Sequence, residues 1–426
     1  MNLFRTVWAS GIAGLLVAMV FASACARQEG TEGSGGQGGV AWSSSVTTAA
    51  GEGGATLPSS TGLGGAQPST ASEVGATTAS ISSAGSSGSG GASSTGQLVL
   101  LAGGSKLLVG GEFHAGAWAT ESFTGASDRA PSLAFVGPAF ALGVHRDPLK
   151  GELQFESFDG TSWAKPKAVG PLVTTQGAPA LAARGNAADV VFLGDDFKHY
   201  FGSYLGGWNP TAELVKAGLG DASFGPVPGA IAVVGQELVL AFPGGNGGLF
   251  VQSRLQGAWQ LAAELPNTAT TLSPAAVGLS SGAELLLVYA NSSDKKLMFA
   301  TRLAGAWSAA AAVEANSFSA DPPALAALPN GEALLVFRGF DTKPYTARFV
   351  PGATPSWSAP KPLIVPNPTV TSAPSVAPGI GGHDAEVAYV GSDGKAYHTH
   401  LASSVWSAPV AVAGPGLLHV AIASSP

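Results

Sequence analysis

The sequence predicts an all-β protein: a seven-bladed β-propeller preceded by a signal peptide and a disordered linker. Three observations predict it. Tryptophan recurs at Trp118, Trp163, Trp208, Trp259, Trp307, Trp357 and Trp406, with spacings of 45, 45, 51, 48, 50 and 49. That interval is the length of a four-stranded propeller blade. Between the tryptophans, short apolar runs and turn residues follow one order. The two ends of the repeat region are fragments that complete each other.

Composition narrows the class. The chain has 426 residues, of which 45% are hydrophobic, enough for a sizeable core. Only 11% are charged, against about 25% in a typical soluble domain. The net charge of −7 excludes a basic nucleic-acid binder. A single cysteine, Cys25, excludes a disulfide framework and a multi-cysteine zinc or iron–sulfur site.

The first element is an address. Met1 to Arg5 carries one positive charge, and Thr6 to Ala24 carries none. The run Leu15-Leu16-Val17-Ala18-Met19-Val20-Phe21 is the apolar h-region of a secretory signal. It ends in Ala22-Ser23-Ala24-Cys25, which resembles a bacterial lipobox, with Ala22 where leucine is the usual residue. That resemblance implies diacylglyceration of the Cys25 thiol and removal of residues 1–24, which leaves Cys25 as the new N-terminus. Ala26, not aspartate, follows the cysteine, which implies sorting to the outer membrane of the cell envelope. An ordinary signal peptide cut near Ala24 and an uncleaved membrane helix are the alternatives. The short h-region has no basic stop-transfer flank, which argues against the helix.

Residues 25–96 are the expected linker. The stretch is Gly, Ser, Thr and Ala, with four glutamates as its only charges from residue 28 onward. Such a composition buries too little apolar surface to offset ordering entropy, so the sequence predicts disorder. A flexible chain of that length spans roughly 45 Å, enough to hold a folded head away from a lipid surface.

Residues 97–426 are the propeller, each unit built to one plan. In the seventh, Ser372 to Ala377, Ala385 to Val390, Lys395 to Leu401 and a segment opening at Trp406 read as four strands, with a hairpin turn at Gly391-Ser392-Asp393-Gly394. The fifth repeats the plan with Ser273 to Val277, Glu284 to Tyr289, Lys296 to Leu303 and Trp307. Second strands such as Leu285-Leu286-Leu287-Val288 are continuously apolar, as strands buried on both faces are. First strands such as Ala324-Leu325-Ala326-Ala327 are small, to fit the crowded axis. The unit beginning at Gln97 lacks a first strand, and Leu417 to Ala423 is a first strand with nothing after it. The chain end therefore closes the first blade.

With that pattern in place, the repeat region resembles seven-bladed bacterial PLL-like propeller lectins and, more distantly, six-bladed fungal fucose-binding lectins. The matching residues are Ser392-Asp393-Gly394-Lys395-Ala396-Tyr397-His398, Trp406-Ser407, Ser273-Pro274-Ala275-Ala276-Val277, Asp159-Gly160-Thr161-Ser162-Trp163, Trp307-Ser308 and Trp357-Ser358. The resemblance implies reversible sugar binding in shallow pockets between blades. Family repeats carry two or three tryptophans; here each unit has one, and Pro409, Pro360 or Ala310 replaces the next.

Candidate residues follow. The seven tryptophans read as packing anchors, because a residue shared by every repeat belongs to what every repeat shares. The third-strand aromatics Tyr200, Phe250, Tyr345 and Tyr397, with Met298 at the same place, are the candidate ligand-binding residues. Core packing is their alternative. Arg254 and Arg302 lie five residues before their tryptophans and His400 six before its own, so they form no single repeated column, and exposed strand-end charges explain them equally well. The acids Asp195, Asp196, Asp294, Asp341 and Asp393 suit hairpin turns. His398 and His400 share one strand face and could chelate a metal. A third ligand has no defined spacing, with His383 and Asp384 the nearest, so neither metal nor cofactor is expected. The fragment around Asp159 is one residue short of a sialidase-type Asp-box. Seven scattered arginines, no nucleophile triad and no phosphate loop argue against catalysis.

The expected function is a lipid-anchored, non-enzymatic, lectin-like module. Its partners would be glycans or cell-surface proteins and the membrane, not nucleic acid. A protein-interaction scaffold without sugar sites and a polysaccharide-acting enzyme are the alternatives. Aromatics in equivalent inter-blade clefts would favour the lectin.

Overall fold

A computed structural model describes residues 96–426, except 172, 210, 216–224, 226 and 364–368. The expected signal peptide, Cys25 and nearly all of the linker lie outside these residues. Among the described residues every regular element is a strand, and no helix is long and apolar enough to cross a membrane.

The strands form seven sheets, each a blade. Blade 2 is Ser132–Phe135, Ala141–Arg146, Leu153–Phe158 and Lys167–Ala168, from axis to rim. Blade 3 is Ala180–Arg184, Ala187–Leu193, His199–Tyr204 and Glu213–Leu214. Blade 4 runs from Ala230–Val234 through Glu237–Pro243 and Leu249–Leu255 to Ala258–Trp259. Blade 5 runs from Ala275–Gly278 through Leu285–Ala290 and Leu297–Leu303 to Ala306–Trp307. Blade 6 runs from Ala324–Ala327 through Ala333–Arg338 and Pro344–Val350 to Ser356–Trp357. Blade 7 runs from Ser375–Pro378 through Ala385–Val390 and Ala396–Ala402 to Val405–Trp406. All pairings within blades are antiparallel.

Blade 1 is composite. Leu98–Gly104, Leu107–His114 and Ala117–Phe123 come from the start of the ring, and His419–Ser424 supplies the inner strand. The register sets Leu98 opposite Ser424 and Gly103 opposite His419. Gln97 and Ser425 then exchange hydrogen bonds of 2.8 Å. Inner strands of successive blades touch all the way round, through His419–Ser424 back to blade 2. Joining the two ends of the repeat region in one blade pairs the first repeat with the last.

Inner strands begin one residue or more after a proline: Pro131, Pro179, Pro228, Pro274, Pro323 and Pro374. Proline has no N–H to give to a ladder, so it sits ahead of the strand. This is why the inner strand of blade 7 runs Ser375–Pro378, later than the sequence run suggests. Second strands are buried along their length, as at Leu285–Ala290. Apolar faces of neighbouring blades interlock, Leu181 and Val191 of blade 3 with Leu142 of blade 2 and Leu240 of blade 4. The core thus lies between blades, and so do the clefts.

Candidate functional site

Blade-to-blade packing is organised by the repeated tryptophan. In each blade it pairs with the third strand, as Arg254 with Trp259 and Phe349 with Trp357. In blades 1, 2, 3, 4 and 6 it also reaches the third strand of the preceding blade. Trp208 meets Phe155 at 5.8 Å, Trp259 meets Phe201 at 5.6 Å, Trp357 meets Phe299 at 5.6 Å and Trp118 meets His398 at 5.2 Å. Trp163 leans on blade 1 at Gly110, where an added Cβ would lie 2.9 Å from the indole. Only glycine leaves room for that ring. The indole N–H groups of Trp118, Trp163, Trp208, Trp259 and Trp357 find no acceptor among the described residues. Their role in the packing is apolar.

A second repeated device sits at the hairpin between second and third strands. Blades 3, 6 and 7 share the order Gly-x-Asp-x-Lys-x-Tyr: Gly194 to Tyr200, Gly339 to Tyr345 and Gly391 to Tyr397. The aspartate Oδ1 accepts the amide N–H two residues on, at 3.2 Å for Asp196 and Asp341 and 3.1 Å for Asp393. That is an Asx turn. The next residue turns left-handed: Phe197 has φ 60°, Thr342 64° and Gly394 73°. The other carboxylate oxygen accepts the tyrosine hydroxyl, at 3.1 Å for Tyr200, 2.9 Å for Tyr345 and 2.8 Å for Tyr397. Lysine ammonium groups stand 3.4–3.7 Å from the same carboxylates.

The ring positions follow from register. Tyr200 stands opposite Phe192, Phe250 opposite Phe242, Met298 opposite Tyr289, Tyr345 opposite Phe337 and Tyr397 opposite Tyr389. The four aromatic pairs stack at 5.5–5.8 Å and 17–21°. Each tyrosine ring also lies over its hairpin glycine; at Gly339 an added Cβ would be 2.8 Å from Tyr345. Burial, then the Asp196 and Asp341 carboxylates, pushes the Tyr200 and Tyr345 hydroxyls above the usual phenol range. For Tyr397 the Asp393 hydrogen bond is the larger cause. All three are neutral donors at physiological pH.

Two of these hairpins open into equivalent clefts. Between blades 5 and 6 a cleft of about 540 Å³ is lined by Glu314, Asn316, Phe318, Phe340, Asp341 and Tyr345. Between blades 2 and 3 one of about 480 Å³ is lined by Thr174, Phe192, Asp195, Asp196, Tyr200 and Thr211. Each joins one blade's hairpin to the connection leaving the blade before it. Each combines aromatic surface with carboxylate and hydroxyl groups. Phe340, 63% exposed at the hairpin tip, offers a free ring face. In the other cleft Asp195 takes hydrogen bonds of 2.7 Å from Thr174 and 2.8 Å from Gln176.

The structure thus places Tyr200 and Tyr345 in clefts, and Phe250 and Tyr397 at the same ladder position in blades 4 and 7. Sequence reasoning missed Phe192, Phe337 and Phe340. The signal was present: in blades 3, 4, 6 and 7 two aromatics flank the hairpin eight residues apart, symmetric about its centre. Asp294 accepts the Lys296 amide at 3.0 Å, a turn role like that of the other hairpin acids.

One expectation is corrected. Arg302 is not an exposed strand-end charge: it is 6% exposed. It bonds Glu237 of blade 4 at 2.8 Å and Glu284 of its own blade at 3.0 Å. Arg254 bonds Glu213 of blade 3 at 3.2 Å and lies 4.2 Å over the Phe201 ring. Both arginines are spent on joining blades. Arg254 and Arg302 pair with tryptophans, whereas His400 stands opposite Glu386, so the cations do fall into two columns. The fragment at Asp159 is a turn: its Oδ1 accepts the Thr161 and Ser162 amides at 2.9 and 2.8 Å.

No protein-family model and no curated protein sequence matches the chain. Solved structures do. The chain is similar to BP39L, a lectin from Burkholderia pseudomallei, at 16% identity and a TM-score of 0.58, over 79% of this chain and 99% of that one. It is also similar to AofleA from Arthrobotrys oligospora, at 13% identity and a TM-score of 0.48, over 69% of this chain and 89% of that one. A fucose-specific lectin from Aleuria aurantia matches at 16% identity and a TM-score of 0.46, over 67% and 96%. The fold is that of a propeller shared with lectins.

Proposed function

We propose that this propeller is a non-enzymatic, lectin-like module that binds carbohydrate in its inter-blade clefts. The observation that carries the reading is the repetition of one cleft. Blades 3 and 6 build it from the same hairpin, with Tyr200 and Tyr345 at the same position. Core packing alone does not require an aromatic wall, a neutral hydroxyl and a carboxylate to meet at an open mouth. A sugar presents an apolar C–H face and a rim of hydroxyls, which is the complement of that mouth. The lectin fold of BP39L supports the reading. In the cleft between blades 5 and 6, Asp341 is engaged by Tyr345 and the Lys343 amide, an arrangement suited to holding rather than to proton transfer.

We further propose that Cys25 is lipidated and that the linker carries the head away from a bacterial outer membrane. The Ala22-Ser23-Ala24-Cys25 run supports this. Expressing cells fed labelled fatty acid should incorporate the label into the wild-type protein and not into Cys25→Ser; a wild-type protein that takes up no label would refute the anchor.

The test of binding is a glycan array probed with the full-length protein. Specific binding that disappears in Tyr200→Ala/Tyr345→Ala, in a protein with unchanged β-type circular dichroism, is the expected result. A folded protein that binds no glycan would replace the lectin with a protein-interaction scaffold. Cleavage of a bound glycan would replace it with an enzyme.

A further inference from the structure

Blade 7 carries a cluster that the clefts do not use. In the sequence, His398 and His400 share one strand face, with His383 and Asp384 the nearest further donors, and no metal is expected. The structure distributes these groups differently. Asp384 is taken by Arg348 at 3.0 Å. His383 and His400 lie face to face, with ring centroids 3.7 Å apart and planes 1° from parallel. Glu386, fully buried, stands directly opposite His400 in the sheet register. Ligand atoms of His383, Glu386 and His400 all lie within 4.8 Å of one another.

We propose that His383, Glu386 and His400 form a divalent transition-metal site, with Zn²⁺ the ion their donors suit. Two imidazole nitrogens and one carboxylate oxygen are borderline donors of the kind Zn²⁺ takes, with water completing a tetrahedron. Ligands about 2.0–2.1 Å from one ion lie roughly 3.3 Å apart, so closure requires the parallel His383 and His400 rings to turn until their nitrogens converge. The backbone fixes the ligands from two directions. Glu386 and His400 are paired across the second and third strands. His383 is presented by the turn in which its N–H donates to the Ile380 carbonyl at 2.9 Å.

An outer shell already orients the carboxylate. His398 Nε2 meets Glu386 Oε2 at 2.8 Å, and the Ile380 amide donates to Oε1 at 3.2 Å. Such second-layer bonds hold metal ligands in place. His383 Nδ1 already meets Glu386 Oε1 at 2.7 Å, so an ion bound by both takes the place of the proton in that bond. His383 keeps 22% of its side chain exposed, which leaves a route in for an ion.

The site has a structural consequence. His398, beside it, packs on Trp118 and Phe113 of blade 1 at 5.2 and 5.6 Å. An ion here ties the 379–384 turn to the strands that face the closing blade. Zn²⁺ is therefore expected to stabilise the fold, independently of any sugar.

The experiment is a Zn²⁺ titration of EDTA-treated, desalted full-length protein by calorimetry, with thermal melts before and after. One saturable equivalent is expected, with a rise in melting temperature of about 2–4 °C. His383→Gln and His400→Gln each weaken binding by about tenfold or more. His114→Gln, at an exposed histidine elsewhere, leaves it unchanged. Absence of saturable binding, or binding that survives both substitutions, overturns the proposal. If either variant folds poorly, zinc-edge X-ray absorption of the wild-type protein decides. Two imidazoles and a carboxylate in the ion's shell support the site; an all-oxygen shell overturns it.

Discussion

The repeated tryptophan and the hairpin tyrosine lie in the same blades, yet they follow different rules. The tryptophan stands in all seven blades, and in blades 1, 2, 3, 4 and 6 it bears on the third strand of the blade before it. The tyrosine stands in three, is replaced by Phe250 and Met298 in two more, and by Gln154 in blade 2. A residue present at every interface does what every interface needs, which is packing. A residue present at a subset is free to do what only some interfaces do. In blades 3 and 6 the tyrosine also lines a cleft beside its own hairpin.

The comparison breaks most visibly at ring closure. Deleting residues 417–426 removes the inner strand of blade 1 and exposes the faces of its neighbours. The expected outcome is loss of the single cooperative transition in urea, read by tryptophan fluorescence. A shortened chain that still unfolds in one sharp step would show that six complete blades suffice.

Next in size is the tryptophan. Trp163, 8% exposed between Phe123 and Phe158, should cost about 3–5 kcal/mol on replacement by alanine. Denaturant midpoints measure it. A loss under about 1 kcal/mol would remove the anchor from the account.

The tyrosine should behave oppositely. Tyr345→Ala is expected to cost about 1–2 kcal/mol of stability, because its ring is half-buried and stacked on one face only. Its effect on glycan affinity should be about tenfold or more. Tyr345→Phe keeps the ring and loses the Asp341 bond, so it should retain most of the affinity if stacking dominates.

The smallest effect is at Asp159. Hydrogen bonds from the Thr161 side chain and the Ser162 and Thr161 amides hold its carboxyl down to about 2. A carboxylate whose folded value is depressed adds stability above its unfolded value, lost as pH falls toward the folded one. Stability should therefore decline between about pH 4 and pH 2 in part through this turn. Asp159→Asn should flatten that slope slightly, and carboxyl NMR should show Asp159 titrating near the low end.

The fold was legible because blades repeat. Seven tryptophans set the period, small first strands marked the axis, and the unmatched Leu417–Ala423 run marked the closing strand. The clefts were half legible. Tyr200 and Tyr345 stood out by varying, but their walls are supplied by the preceding blade: Glu314 and Phe318 for one, Thr174 for the other. Those residues sit in connections whose path only the packed ring fixes. The burial of Arg302 was hidden for the same reason. Its partner Glu237 is 65 residues away, and no local pattern announces the pairing. The ring contact between His383 and His400 likewise depends on how one turn folds back on the sheet.

The most direct test is the stoichiometry of sugar binding, by calorimetric titration of the full-length protein with the glycan an array selects. Two equivalents per chain are expected from the two tyrosine clefts, one after Tyr200→Ala or Tyr345→Ala, and none after both. Binding whose stoichiometry is unchanged in the double variant would place the sugar elsewhere and contradict the account.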